Sequence, residues 1–278
     1  MIENCRSIFM CRSIGPLACA MIVGWHTVLT TILNLVLFPR GIFNPIESAS
    51  SKLINSTLCG SLYLILFVFP LIFWFYQLRP KDVSLNVKDI PKGLLWTLIG
   101  FLFVHCVGMI VLYARDIPIE FDDRWSTGVS TLWVGKFFSQ IFGNAFYEEV
   151  IFRGLLLPQC VLLLKKRYRK MSWGKCFWFG LLISQIAFAL IHIPNRIHNG
   201  TYVSILSVIF DQLALLITGS LFAFIFLLSR NLFVAIGFHS LVNFTPYLFA
   251  DPGRDVNYSV LLLLPVLFAI SRYRLPKK

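Results

Sequence analysis

The chain has 278 residues, of which 57% are hydrophobic and only 14% charged, and its mean hydropathy is +0.75. A soluble domain carries about 45–50% apolar and about 25% charged residues, so a soluble fold is excluded and membrane lipid is the expected solvent. The net charge of +12 lies in short runs between apolar segments, the pattern of loops held at an anionic membrane face, and no nucleic-acid partner is expected.

A helix needs about 20 apolar residues to cross a bilayer. In chain order, eight candidates run 16–38, 57–76, 94–113, 131–164, 176–193, 203–228, 232–248 and 257–271. The first, Pro16 to Phe38, is uninterrupted by charge and too long for the core of a cleaved signal; Ala18-Cys19-Ala20, which resembles a cleavage box, stands at its start rather than after it. The fourth is 34 residues long and at ~1.5 Å per residue exceeds a bilayer. Its start, with Lys136 and Gln140, is expected in the interface, and Pro158 is expected to kink its later part. The polar segments are short, and neither a repeat nor a linker divides the chain. The expected fold is all-α: a polytopic transmembrane helical bundle of about eight helices, forming a single integral membrane domain over 1–278, in the cell membrane if the source is prokaryotic. Nothing in the sequence signals an oligomeric state.

Seven cysteines are scattered without a CxxC pair: Cys5, Cys11, Cys19, Cys59, Cys106, Cys160 and Cys176. Such a set reads as packing residues rather than a disulfide framework or zinc site, with Cys5 and Cys11 as candidates for acylation. With a cytoplasmic N-terminus, the cytoplasmic segments carry 17 Lys and Arg and the opposite segments 6, and the run Lys165-Lys166-Arg167-Tyr168-Arg169-Lys170 dominates. The positive-inside rule therefore favours both termini in the cytoplasm.

Ionisable residues inside a bilayer are costly and mark functional sites by default. Among acids, Glu148, Glu149 and Asp211 fall within apolar segments; among histidines, His26, His105, His192 and His239 do. At ~100° per residue, Arg153 lies about 40° from Glu149 and about 140° from Glu148. Glu149 and Arg153 then form an i,i+4 pair that neutralises itself, and Glu148 stands on another face with no partner in its own helix, as suits a general base or acid. The bland alternative is that both acids only pack against Arg153. His192 shares a helix face with Phe188 and Gln185. His239 and Asn243 are i,i+4, and two donors on one face either cradle an oxyanion or join two helices. His26 and His105 read as structural. Asp211-Gln212 belongs either to a substrate or proton path or to a helix–helix bond.

Glu148-Glu149-Val150-Ile151-Phe152-Arg153, Phe188 to His192, and His239 to Asn243 together resemble the EExxxR, FxxxH and HxxxN motifs of the CAAX-protease and bacteriocin-processing family, also called the ABI family, which includes the Ras-converting CAAX endopeptidases. The Arg-Gly at Arg153-Gly154 matches as well. The resemblance covers about residues 135–250, which it marks as the catalytic core. It implies an intramembrane endopeptidase in which Glu148 activates water with help from His192, His239 and Asn243 form the oxyanion hole, and Glu149, Arg153 and Phe188 support the site. It implies no cofactor. HExxH is absent, and a metal-free reaction is favoured, although Glu148, His192 and His239 also suit a three-ligand open zinc site. The substrate is a peptide or protein at the membrane, prenylated or not.

Two rival readings stand beside this one: a non-catalytic immunity or regulatory factor on the same fold, and a proton-coupled transporter, for which no broken helix pair is seen. Depth gives one more expectation. Glu148 is 17 residues before Lys165, or about 25 Å along a helix, and His192 lies at a matching distance beyond Cys176. The site is therefore expected in the half of the membrane far from the basic loop.

Overall fold

A computed structural model describes residues 9, 11–126 and 130–273. Long apolar stretches fold into helices because every backbone polar group in lipid must be satisfied within its own segment. The bundle comprises α1 (Pro16–Leu37), the short α2 (Asn44–Ala49), α3 (Ser56–Phe75), α4 (Val87–Ala114), α5 (130–167), α6 (Trp173–Leu190), the short α7 (Ile193–His198), α8 (Ile205–Ser229), α9 (Leu232–Asn243) and α10 (Arg254–Ser271). No strand forms among the described residues; Phe121 and Phe249 make one isolated bridge. Among the described residues, six helical stretches are long and apolar enough to cross a membrane, counting α6 and α7 as one stretch. The chain is an integral, multi-pass membrane protein. Its outward faces are apolar: on α4, Leu94, Leu98, Leu102, Ile110 and Tyr113 are all more than half exposed, which is the surface lipid would cover.

Three features depart from expectation. The fourth segment is a helix over 130–167, but it widens into π-turns at Gln140–Asn144 and Val150–Leu156. The irregularity expected at Pro158 therefore lies just before it. Pro158 offers no N–H to the Gly154 carbonyl one turn back, and a wider turn is one way to accommodate that loss. The seventh helix stops at Asn243 rather than at 248. At 12 residues it is about 18 Å long, too short to span alone, yet Leu232 and Val234–Val242 are all buried. The chain beyond it can leave the helix because it runs inside protein rather than against lipid. The last helix begins with a 3-10 stretch, Arg254–Leu263. Close packing seats α9: a Cβ on Gly237 would collide with Thr97 of α4.

The two ends of the bundle are tied differently. At one end the residues before α1 lie against the α3–α4 connection and α5. The Arg12 N–H donates to Asp82 Oδ1 (3.3 Å), the Ile14 N–H to Gln159 Oε1 (3.0 Å), and Gln159 Nε2 to the Arg12 carbonyl (2.8 Å). At the other end, the Asp122 N–H donates to the Leu248 carbonyl (3.0 Å) and Thr131 Oγ1 to the Ser51 carbonyl (2.9 Å). The described cysteines are free thiols. Cys11 is partly buried beside Gln159, with Nε2–Sγ 3.6 Å; Cys5 lies outside the described residues.

Candidate active site

The turn Ala145–Glu149 of α5 carries two glutamates on different faces. Glu149 points into the bundle. It and Arg153 are fully buried, with Nη1 3.0 Å from Oε1. Ions at that depth need partners on every side. Arg153 Nη2 donates to the Gly219 carbonyl (2.9 Å) and to Gln185 Oε1 (3.4 Å), and its guanidinium lies 4.3 Å from the Phe188 ring centroid. α8 passes close enough to offer that carbonyl because position 219 is glycine; a Cβ there would strike Gln185 Oε1. Glu149 has a second partner from a distant helix, since its Oε1 lies 2.7 Å from Nδ1 of His239. The His239 ring stacks on Phe222, with centroids 4.3 Å apart and planes 20° apart. Two contacts thus fix the orientation of that imidazole.

Glu148 faces the opposite way, into a cavity of about 520 Å³ that His192, His239 and Asn243 also line. His192 Nε2 lies 3.8 Å from Glu148 Oε1, and His239 Nε2 lies 3.6 Å from Oε2. Both gaps are too long for direct hydrogen bonds and suit a bridging water. His192 Nδ1 lies 2.7 Å from the Phe188 carbonyl. A carbonyl only accepts, so Nδ1 carries the proton and neutral His192 turns a bare Nε2 toward Glu148. Asn243 Nδ2 donates to Gln140 Oε1 (2.9 Å), which leaves the amide one further N–H.

All seven residues singled out in the motifs thus converge. Glu148, His192, His239, Asn243 and Phe188 line the cavity, and Glu149 and Arg153 lie directly behind it. Gln140 is turned into the cavity as well. Gln140, Asn144 and Glu148 recur at intervals of four and all line it, a spacing that could have flagged the first two. His26 also belongs here. It is 3% exposed and meets Tyr147 edge-on at 5.1 Å between centroids. Its Nδ1, Tyr147 Oη and Glu148 Oε2 are buried without a hydrogen-bond partner among the described residues. His105 is structural, its Nε2 accepting from the Leu248 N–H at 3.1 Å. Asp211 joins neighbouring elements: Arg196 Nε (3.0 Å) and Tyr202 Oη (3.0 Å) both donate to it. Among the described residues, no group of three or more His, Cys, Asp or Glu side chains is arranged to hold a metal ion.

Residues 130–245 match the family described as type II CAAX prenyl endopeptidase Rce1-like. The match takes in α5 through α9 and stops just past Asn243, so it contains every motif residue. No curated protein and no solved structure matches the chain.

Proposed function

We infer, from the match of residues 130–245 to the family of Rce1-like type II CAAX prenyl endopeptidases, that the chain is an intramembrane protease whose nucleophile is a water activated by Glu148. The observation that carries the inference is the placement of one carboxylate, Glu148, between the Nε2 atoms of His192 and His239 at 3.8 and 3.6 Å, at a cavity wall. Three helices far apart in sequence contribute to it. Position 1–278 is one membrane domain in this reading, with its catalytic core at about 135–250.

The bare Nε2 of His192 and the Glu148 carboxylate are two acceptors for the hydrogens of one water. That arrangement orients an oxygen lone pair toward a peptide carbonyl, and Glu148 takes the proton as the new C–O bond forms. The oxyanion that develops needs donors. Asn243 offers its remaining amide N–H. His239, whose Nδ1 is held by Glu149, turns Nε2 to the same space and offers it as a donor when both ring nitrogens carry a proton. Glu148 returns its proton to the departing amine as the C–N bond breaks. No covalent intermediate and no cofactor enters the scheme. The substrate is a peptide of a membrane-associated protein, and a prenylated CAAX terminus is one member of that class.

Purified protein treated with a chelator is expected to hydrolyse a peptide substrate, and Glu148→Gln to lose about 10²–10⁴-fold in kcat with an unchanged melting temperature in detergent. Undiminished turnover by Glu148→Gln would remove Glu148 from the chemistry. Activity lost with the chelator and restored by zinc would assign the site to a metal.

A further inference from the structure

The four histidines within the apolar segments are not alike. His105 Nδ1 lies 2.9 Å and His192 Nδ1 2.7 Å from the carbonyl one turn back, that of Phe101 and of Phe188. His239 Nδ1 lies against Glu149. His26 Nδ1 is buried and has no hydrogen-bond partner among the described residues. The ring is nonetheless held in place, since Tyr147 meets it edge-on and the Phe152 centroid is 5.8 Å away. An apolar ring would fill the same position without the cost of burying a polar nitrogen.

Thr30, one turn further along α1, repeats the pattern. Thr27 and Thr31 donate to the carbonyls of Val23 and Thr27, each at 2.8 Å, the ordinary resting place of a hydroxyl inside a helix. Thr30 Oγ1 is buried and makes no such bond. His26, Thr30 and Tyr147 all line the cavity that contains Glu148, and Tyr147 Oη and Glu148 Oε2 are likewise buried without a partner among the described residues. The contact between His26 and Tyr147 joins the two pairs, because Thr30 and Glu148 are their neighbours on α1 and α5. α1 precedes the matched residues 130–245, so this part of the site comes from outside the family match. Buried polar atoms in native proteins are almost always hydrogen-bonded, and in a polar cavity ordered water is the partner at hand.

We propose that His26, Thr30 and Tyr147 form a water-binding site that holds the second oxygen of Glu148, with His26 as a positioning residue of the catalytic centre. The donor and acceptor inventory is complementary to water. The two hydroxyls donate or accept, a neutral imidazole nitrogen does one or the other, and Glu148 Oε2 as a carboxylate oxygen only accepts. A buried water makes about three hydrogen bonds; one goes to Oε2 and the rest to the imidazole and the hydroxyls. With Oε2 held in this way, Oε1 keeps its place 3.8 Å from His192 Nε2, the pair that orients the attacking water. The proposal rests on the protease reading for what Glu148 does, but not for the presence of the water.

Two measurements on purified protein in detergent test it. The first is the melting temperature of His26→Phe, Thr30→Val and Tyr147→Phe, each of which removes a polar atom and keeps the shape. If the atoms are hydrogen-bonded to water, each variant melts lower than wild type. If they are dry, removing an unpaired polar atom leaves the melting temperature equal or raises it, and that result overturns the water site. This series is decisive whether or not the chain hydrolyses anything, so a wild type that cleaves no peptide would sink the protease reading separately. The second measurement is peptide hydrolysis. His26→Phe and Tyr147→Phe are expected to lower kcat by about 10–10²-fold, as a misplaced reacting group does, with KM little changed. His26→Asn, whose amide puts a polar atom near the position of Nδ1, should recover part of the loss, and His26→Gln, which mimics Nε2, should recover less. An unchanged kcat, a loss confined to KM, or equal failure of His26→Asn and His26→Phe would overturn the positioning role.

Discussion

The two halves of α5 run along one helix and serve opposite purposes. From Gln140 to Glu148 the helix mixes buried and half-buried positions with the exposed Phe142, and Gln140, Asn144 and Glu148 are turned to a polar cavity. From Glu149 to Val161 it is buried on all sides, wrapped by α6, the 80–83 turn and the segment before α1. The boundary falls between two adjacent glutamates. Each keeps a buried Oε2 without a hydrogen-bond partner among the described residues, but Glu149 Oε1 is held by Arg153 and His239, whereas the histidines nearest Glu148 stand beyond direct hydrogen-bond range. Adjacent identical residues thus meet different physics. A carboxylate facing polar space is available for chemistry. One sealed in the core must be neutralised, and there it orients its neighbours.

Mutations that set one half against the other sharpen this contrast. Glu149→Ala is expected to have the largest effect after loss of Glu148. It strands a fully buried Arg153, at a cost of about 3–5 kcal/mol, and removes the acceptor that fixes His239. Both melting temperature and activity should fall, whereas Glu148→Gln lowers activity alone. Equal melting temperatures for the two variants would erase the distinction. Asn243→Ala comes next. If Asn243 is an oxyanion donor, kcat drops by about 10²–10³ with KM little changed, and a loss confined to KM would make it a substrate-binding residue instead. Gly154→Ala probes the sealed half. The added methyl meets the Val83 carbonyl, and overpacking of this kind costs about 1–3 kcal/mol. Thermal stability should decrease while kcat measured well below the transition stays near wild type. A selective loss of kcat would mean that the seal and the site are one unit.

Much of this arrangement was legible in the sequence, for a definable reason. Helices in lipid must be long and apolar, so hydropathy locates them, and a charged residue within one stands out. The 3.6-residue period then says which side chains share a face. On that basis Glu149 pairs with Arg153 and Glu148 does not, and the observed 3.0 Å contact agrees. The period says nothing about another helix. The Glu149–His239 bond spans 90 residues and the Asn243–Gln140 bond 103; each depends on how two helices are rotated and offset. His26 read as structural because its partners across the cavity lie on other helices. The π-turns are invisible to hydropathy, since widening a turn changes no residue's polarity.

The smallest effect concerns the seal itself. Asp82 is buried, and burial alone would oppose its charge. The backbone N–H groups of Arg79 and Arg12 and the Arg79 guanidinium outweigh that cost and hold its carboxyl below the usual range. The bonds are 2.9 Å from the Arg79 N–H, 3.3 Å from the Arg12 N–H and 3.3 Å from Arg79 Nε. A carboxylate whose folded pKa is depressed stabilises the protein fully above its unfolded value, near 4, and loses that contribution as the pH falls through the folded value. The Arg79 side chain is 64% exposed, so the ion pair supplies at most about 1 kcal/mol, and the two backbone donors carry the rest. Asp82→Asn should therefore lower the melting temperature in detergent by a constant small amount from pH 7 down to about pH 4. The gap between wild type and variant should then close below that, as the wild-type carboxyl protonates. Other carboxylates titrate over the same range in both proteins, and taking the difference cancels them. A gap that persists unchanged into acid would mean that the charge of Asp82 does not hold the seal, and that its shape alone seats the 80–83 turn against α5.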